Sequence, residues 1–249
     1  SSIDLLEVLL KVSAISHRDP ESKLVLMGHS LGGAVVERVL APALVTAALA
    51  NASRHGAVEV PFDLVVLANP ASSALDADRL IRFFERNQVR LVTVDQEQRT
   101  APADGPLVAS VNSETDLVNR VSYPLGMWVN SMFLRFRKDS EPGAPSQRRL
   151  GVRAAGFVDS MVSHDAWVRE NGTVGLRPRP SAQHGAPYWI VRVPPEISSG
   201  HSDVTGPHFG QLILTLMARN RVFDYEVRLG LQAGLRADFS DHDPGTGQR

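Results

Sequence analysis

The strongest constraint on this chain is one hexapeptide together with its flanks. Lys23-Leu24-Val25-Leu26-Met27 is a short apolar run of buried-strand type, and Gly28-His29-Ser30-Leu31-Gly32-Gly33 follows it directly. Gly33-Ala34-Val35-Val36-Glu37-Arg38-Val39-Leu40 then reads as a helix packed on a sheet. A strand that passes straight into a helix needs a very tight turn. Gly28 and Gly32 are expected there because a Cβ would collide as strand and helix close. Ser30, at the apex, is expected at a strained backbone angle that lifts its hydroxyl above the sheet edge. The pentapeptide alone is a weak signal, and the strand and helix around it make it specific. An ordinary surface serine on a Gly-rich turn is the plain alternative.

Such a turn has chemical consequences. The helix N-terminus lies under the serine, so the Leu31 N–H points to where a carbonyl oxygen would gain negative charge. The helix dipole favours that charge. Strand, apex serine and helix form the context of a nucleophile elbow, made here of Gly28, His29, Ser30, Gly32 and Gly33.

Composition limits the alternatives. The chain has 249 residues, room for one large α/β domain, with 43% hydrophobic and 21% charged residues. A net charge of -1 gives no electrostatic case for nucleic acid. No run is long and apolar enough for a membrane span. With no cysteine, disulfides, thiolate metal sites and a cysteine nucleophile are excluded together. A helix-like stretch from Asp4 to Val12 opens the chain, with no signal peptide before it. This favours the cytoplasm and suggests a trimmed start.

Three strand-like runs share one logic. Leu24–Met27 ends at the hexapeptide, Phe62–Ala68 at Asn69-Pro70, and Leu107–Val111 at Asn112-Ser113-Glu114-Thr115-Asp116. Helix-like stretches at Gly33–Ala50 and Asp76–Asn87 separate them, and Tyr188–Val193 is a fourth run. Nearly continuous apolar strands alternating with helices predict an α/β, mostly parallel, doubly wound sheet. Arg90–Val94 reads as a further short strand or a loop. Phe209–Ala218 reads as a helix. Residues 121–187 break the pattern and read as an insertion, either a lid or a packing excursion, with Asn171–Pro187 a loop. Residues 1–239 then form one domain, and 240–249 a disordered tail.

A serine hydroxyl needs a base, and the base a carboxylate, in the chain order Ser, Asp, His for this architecture. Asp116 follows a strand end by a short polar loop and fits best, with Asp95 the alternative. Asp76 and Asp78 read as helix N-terminal charges. His201, in a loop between the last strand and the last helix, is favoured as base over His208. It is expected to bridge Ser30 and Asp116, with a distance to Ser30 of about 2.6–3.2 Å or somewhat longer without ligand. A surface histidine, for His208, and a turn-capping aspartate, for Asp116, are the plain readings.

With these residues in place the chain resembles the α/β-hydrolase superfamily of serine esterases and lipases, and its bacterial members above all. The likeness rests on Gly-His-Ser-Leu-Gly-Gly at 28–33, Leu-Ala-Asn-Pro-Ala at 67–71, Ser-Glu-Thr-Asp at 113–116, Tyr-Pro-Leu-Gly at 123–126 and Gly-His-Ser-Asp-Val at 200–204. The resemblance implies the α/β-hydrolase fold, with Ser30 as nucleophile, Asp116 as acid, His201 as base and Leu31 N–H in the oxyanion hole. It implies no metal and no cofactor. The family draws a second oxyanion N–H from a loop after an early strand, and no such strand precedes Ser1, so the N-terminal strands are expected to be missing. The expected activity is cleavage of a carboxylic ester, of a small molecule or a lipid, through an acyl-enzyme. The competing expectations are a catalytically vestigial binding or effector module, and a thioesterase or amidase on the same fold.

Overall fold

The apolar runs become the centre of one sheet. A computed structural model describes residues 2–16, 18–19, 22–52, 62–86, 92–94, 100–102, 105–131, 146–180 and 187–220. In chain order these give α1 (Ser2–Ser16), β1 (Val25–His29), α2 (Leu31–Ala52), β2 (Leu64–Ala68) and α3 (Ala74–Arg86). There follow β3 (Val92–Val94), β4 (Thr100–Pro102), β5 (Val108–Ser113), a π-helical turn (Val118–Ser122), α4 (Tyr123–Ser131) and α5 (Gln147–Gly151). The rest comprises β6 (His164–Val168), β7 (Val174–Pro178), β8 (Tyr188–Val193) and α6 (Pro207–Arg219).

The main sheet has six strands in the order β1-β2-β5-β8-β6-β7. All neighbours are parallel except β6 and β7, which form an antiparallel hairpin. Every residue of β2 and β5 is buried, which is why β2 is apolar throughout and the polar Ser110, Asn112 and Ser113 of β5 are dry as well. Successive side chains serve opposite faces. Val65, Leu67, Tyr188 and Ile190 pack with Leu40 and Leu44 of α2 and Leu80 and Phe84 of α3. Leu64, Val66, Val191 and Val193 pack with Phe209, Leu212 and Leu216 of α6. Helices therefore cover both faces of a mostly parallel sheet, and the class is α/β.

Val92–Val94 is a strand, one of the two readings expected of Arg90–Val94, and it pairs with β4 in a separate two-stranded ribbon. One expectation needs correction. The stretch 171–187 is not all loop, because β7 occupies Val174–Pro178 and pairs with β6 from Val168↔Val174 to His164↔Pro178. The reason is position: β7 is the edge strand, β6 pairs with β8 only at His164 and Asp165, and both are exposed over part of their length, so Trp167, Arg177 and Pro178 interrupt the apolar signal that marks the central strands. In α1, Leu9 packs on the core whereas Val8 and Val12 stay exposed. The tail 240–249 and residues 132–145 of the insertion lie outside the described residues.

One buried carboxyl stands in this core. Glu37 of α2 is 4% exposed and accepts a hydrogen bond from the Tyr188 hydroxyl at 2.5 Å. Burial pushes its carboxyl up from the ordinary value of 4.5, against the lowering effect of hydrogen bonds from Ser72 and Tyr188. A carboxyl raised on folding contributes stability below its unfolded value and loses it as pH rises through the folded one. Glu37→Gln is therefore expected to raise the thermal midpoint at pH 8. The gain should vanish near pH 4. Thermal unfolding of both proteins across that range is the measurement, and a pH-independent difference would count against the burial argument.

Candidate active site

Between the last residue of β1 and the first of α2 stands Ser30 alone. Its φ is 54°, in the left-handed region, as the tight turn requires. The backbone around it is fully committed. Its N–H donates to the Ala68 carbonyl (3.0 Å), and its own carbonyl accepts from the N–H groups of Ala34 (3.1 Å) and Ala71 (3.0 Å). The turn is thus tied both to its own helix and to the segment after β2. Leu31 opens α2, so its N–H is one of those a helix leaves without an intrahelical partner.

The glycines divide differently from expectation. A Cβ on Gly28 would stand 2.8 Å from the Gly33 Cα and 2.9 Å from the Gly32 carbonyl oxygen. One on Gly33 would stand 3.0 Å from the Pro70 Cβ and 3.1 Å from the Gly28 oxygen. A Cβ on Gly32 would meet nothing within 4 Å. The crowded pair is Gly28 and Gly33, because strand and helix touch there, while Gly32 faces open space.

At the carboxyl ends of the strands the three expected side chains meet. The Ser30 hydroxyl lies 2.7 Å from His201 Nε2, and His201 Nδ1 lies 2.8 Å from Asp116 Oδ2. With Nδ1–H donating to the carboxylate, Nε2 is left as the acceptor for the hydroxyl proton. Asp116 is fully buried, and its Oδ1 accepts the Asn119 N–H at 3.0 Å. The His201 side chain is 16% exposed. A hydroxyl, an imidazole and a dry carboxylate in line let the imidazole take the hydroxyl proton while the carboxylate stabilises the resulting cation.

The other candidates stand elsewhere. His208 Nδ1 bonds to the Glu196 carbonyl (2.9 Å). Asp76 caps α3 with Ser73, whose hydroxyl donates to Oδ2 (2.9 Å) and accepts the Asp76 N–H (3.2 Å). Asp78 takes two bonds from Arg82. Asp95 lies outside the described residues.

Sequence reasoning named His29, Asn69 and Ser113 within its motifs but assigned none of them the part of holding the site. Asn69, 1% exposed and at φ 43°, donates through Nδ2 to the carbonyls of Gly200 (3.2 Å) and His201 (3.0 Å). Its Oδ1 accepts the Ser113 N–H (2.8 Å). His29 Nε2 also donates to the His201 carbonyl (2.7 Å), and the Ser113 hydroxyl donates to the Ser198 carbonyl (2.6 Å). The local signal was an asparagine at a strand end, a residue type tolerant of the left-handed region. Beside the acid loop is a cavity of about 530 Å³ whose walls include Glu114, Arg120, Arg153 and Arg192 but not Ser30 or His201.

Comparison with protein-family models, with curated proteins and with solved structures finds no match in any of the three. Among the described residues no helix is long and apolar enough to cross a membrane, and no group of three or more His, Cys, Asp or Glu is placed to hold a metal ion.

The glycine geometry gives a direct test. Gly28→Ala should destabilise by about 1–3 kcal/mol, because backbone must move to admit the methyl. Gly32→Ala should be neutral or stabilise by up to about 1 kcal/mol, as alanine favours a helix. Urea unfolding of the two variants checks the order, and equal losses would contradict the contact between strand and helix.

Proposed function

We propose that the chain is a serine hydrolase of the α/β-hydrolase kind, cleaving a carboxylic ester through an acyl-enzyme on Ser30. The observation that carries this reading is the continuous hydrogen-bonded line from Ser30 Oγ through His201 to buried Asp116. The sheet order supports it too. Ser30, Asp116 and His201 follow β1, β5 and β8, and all three lie at the carboxyl edge, where sites of open α/β sheets gather.

In this mechanism His201 Nε2 takes the Ser30 proton as Oγ attacks the ester carbonyl carbon. The carbonyl electron pair moves onto oxygen, opposite the Leu31 N–H at the positive end of α2. The tetrahedral adduct collapses, the alcohol leaves with the proton from His201, and the acyl group remains on Ser30. Water then gives its proton to His201 and attacks the acyl carbon. Ser30 departs with that proton, and the acid is released. Asp116 keeps Nδ1 protonated throughout.

An apolar acyl group is favoured by what flanks these residues. Leu31 follows Ser30 directly and is 73% exposed, and Leu117 follows Asp116 and is 67% exposed. Val121 and Leu125 continue from Leu117 at four-residue spacing, both exposed.

A fluorophosphonate probe should label the protein on the peptide that carries Ser30, and Ser30→Ala should abolish labelling. Asp116→Asn should lower kcat on a p-nitrophenyl ester by about 10⁴ while leaving the fold intact, because an amide cannot hold the same imidazole tautomer. An adduct on another serine, or none at all, would overturn the reading in favour of a binding module on the same framework.

A further inference from the structure

The base of the proposed reaction stands on a turn, not on a strand or helix. Residues 194–206 between β8 and α6 are turns and bends, closed locally by such bonds as Val204 N–H to the Ser202 carbonyl (3.0 Å). Hydrogen bonds from the Ser199 N–H (2.8 Å) and hydroxyl (2.7 Å) to Asp203 Oδ2 stiffen the turn itself. These bonds stay within the turn, so none of them fixes it relative to Ser30.

Two side chains from other elements supply that reference. The His201 carbonyl accepts from His29 Nε2 at 2.7 Å and from Asn69 Nδ2 at 3.0 Å. Both donors belong to the frame that carries Ser30. His29 is the residue before it, at the end of β1. Asn69 follows Ala68, whose carbonyl holds the Ser30 N–H, and Ala71 in turn donates to the Ser30 carbonyl. Through Oδ1 the same Asn69 amide also holds the Ser113 N–H, ahead of the acid.

We propose that Asn69 and His29 are positioning residues that clamp the main chain of His201, and so fix Nε2 against Ser30. The inference rests on the serine-hydrolase reading above. Its chemistry limits which side chains fit. Position 69 must donate to two carbonyls and accept from one N–H, which a carboxamide does and a carboxylate cannot. It must also occupy the left-handed region, which asparagine tolerates. Position 29 must present an N–H at the reach of an imidazole Nε2, which the amide of glutamine approximates. An error of about 1 Å in base position costs about 10²-fold in rate, so a clamp made of a few hydrogen bonds has a large kinetic effect.

The test uses the full chain with His29→Ala, His29→Gln, Asn69→Asp and Asn69→Gly. The readouts are the rate of fluorophosphonate labelling at Ser30, kcat and KM on a p-nitrophenyl ester, the thermal midpoint, and the low-field proton resonance of His201 Nδ1–H. His29→Ala should lower kcat and the labelling rate about 10-fold with KM nearly unchanged, and His29→Gln should recover most of that loss. Asn69→Asp should lose about 10²-fold. Asn69→Gly, which relieves φ but supplies no donor, should stay slow. The low-field resonance should shift in His29→Ala while the thermal midpoint stays within a few degrees. If Asn69→Asp fails to fold, the His29 pair decides alone. Normal labelling of Ser30 in His29→Ala and Asn69→Gly would overturn the clamp and leave the hydrolase reading standing. A glutamine variant as slow as the alanine one would overturn the role of the His29 donor. Absence of labelling in the unmodified protein would overturn both.

Discussion

One contact of backbone against backbone governs the carboxyl edge of this sheet. Gly28 and Gly33 approach so closely that a methyl on either would strike main chain or Pro70. That contact lets β1 pass into α2 with one residue between them, and it forces Ser30 to a positive φ. A serine in that conformation is sustained only where its surroundings over-determine it. Here its N–H is held by Ala68, the last residue of β2, and its carbonyl by Ala71 just beyond. Neighbouring strands share the strain. In register, His29 faces Ala68, and the next residue on each strand, Ser30 and Asn69, has positive φ.

The strain at Asn69 has its own compensation. The side chain released from the strand direction reaches the end of β5 and the turn after β8, and the peptide oxygens it leaves behind are collected by Asn119, which donates to the carbonyls of Asn69 (3.1 Å) and Pro70 (3.3 Å). Buried polar groups are costly when unpaired and rigidify a site when paired. The ends of β2 and β5 and the turn after β8 are thus joined by side-chain amides rather than by further strand pairing. Asn119 also lines the cavity beside the acid loop, where Arg192 is held by Asp159 at 2.7 Å.

What could be read from the sequence follows from the range of the interactions. β2, the first half of β5 and most of β8 announced themselves because burial on both faces leaves a local, largely apolar signature. Ser30, Asp116 and His201 were legible because chain order and strand ends are one-dimensional features. The hairpin of β6 and β7 was not, since an edge strand mixes Gly175, Arg177 and Pro178 with its apolar residues. The choice between Gly32 and Gly33 depends on which residue of the helix turns toward the strand and toward Pro70, a tertiary fact. Asn69 was read as a strand terminator and a member of the Leu-Ala-Asn-Pro-Ala motif, without a holding role, because its partners Ser113 and His201 are 44 and 132 residues away.

Asp116 shows why a local reading of such a residue can be right and still incomplete. A capping aspartate and a partner for a histidine looked like alternatives, but the carboxylate has two oxygens and divides them. Oδ1 takes the Asn119 N–H, and the Asp116 carbonyl takes the Arg120 N–H at 3.0 Å, which starts the helical segment beyond it. Oδ2 is left for His201 Nδ1. Capping orients the carboxylate and places it at the positive end of that segment, which offsets part of the desolvation of a fully buried charge. The cap is therefore what allows the acid to be dry while the base, with its side chain 16% exposed, stays at the rim. In the proposed reaction that asymmetry is required, since deacylation needs water at His201 and none at Asp116.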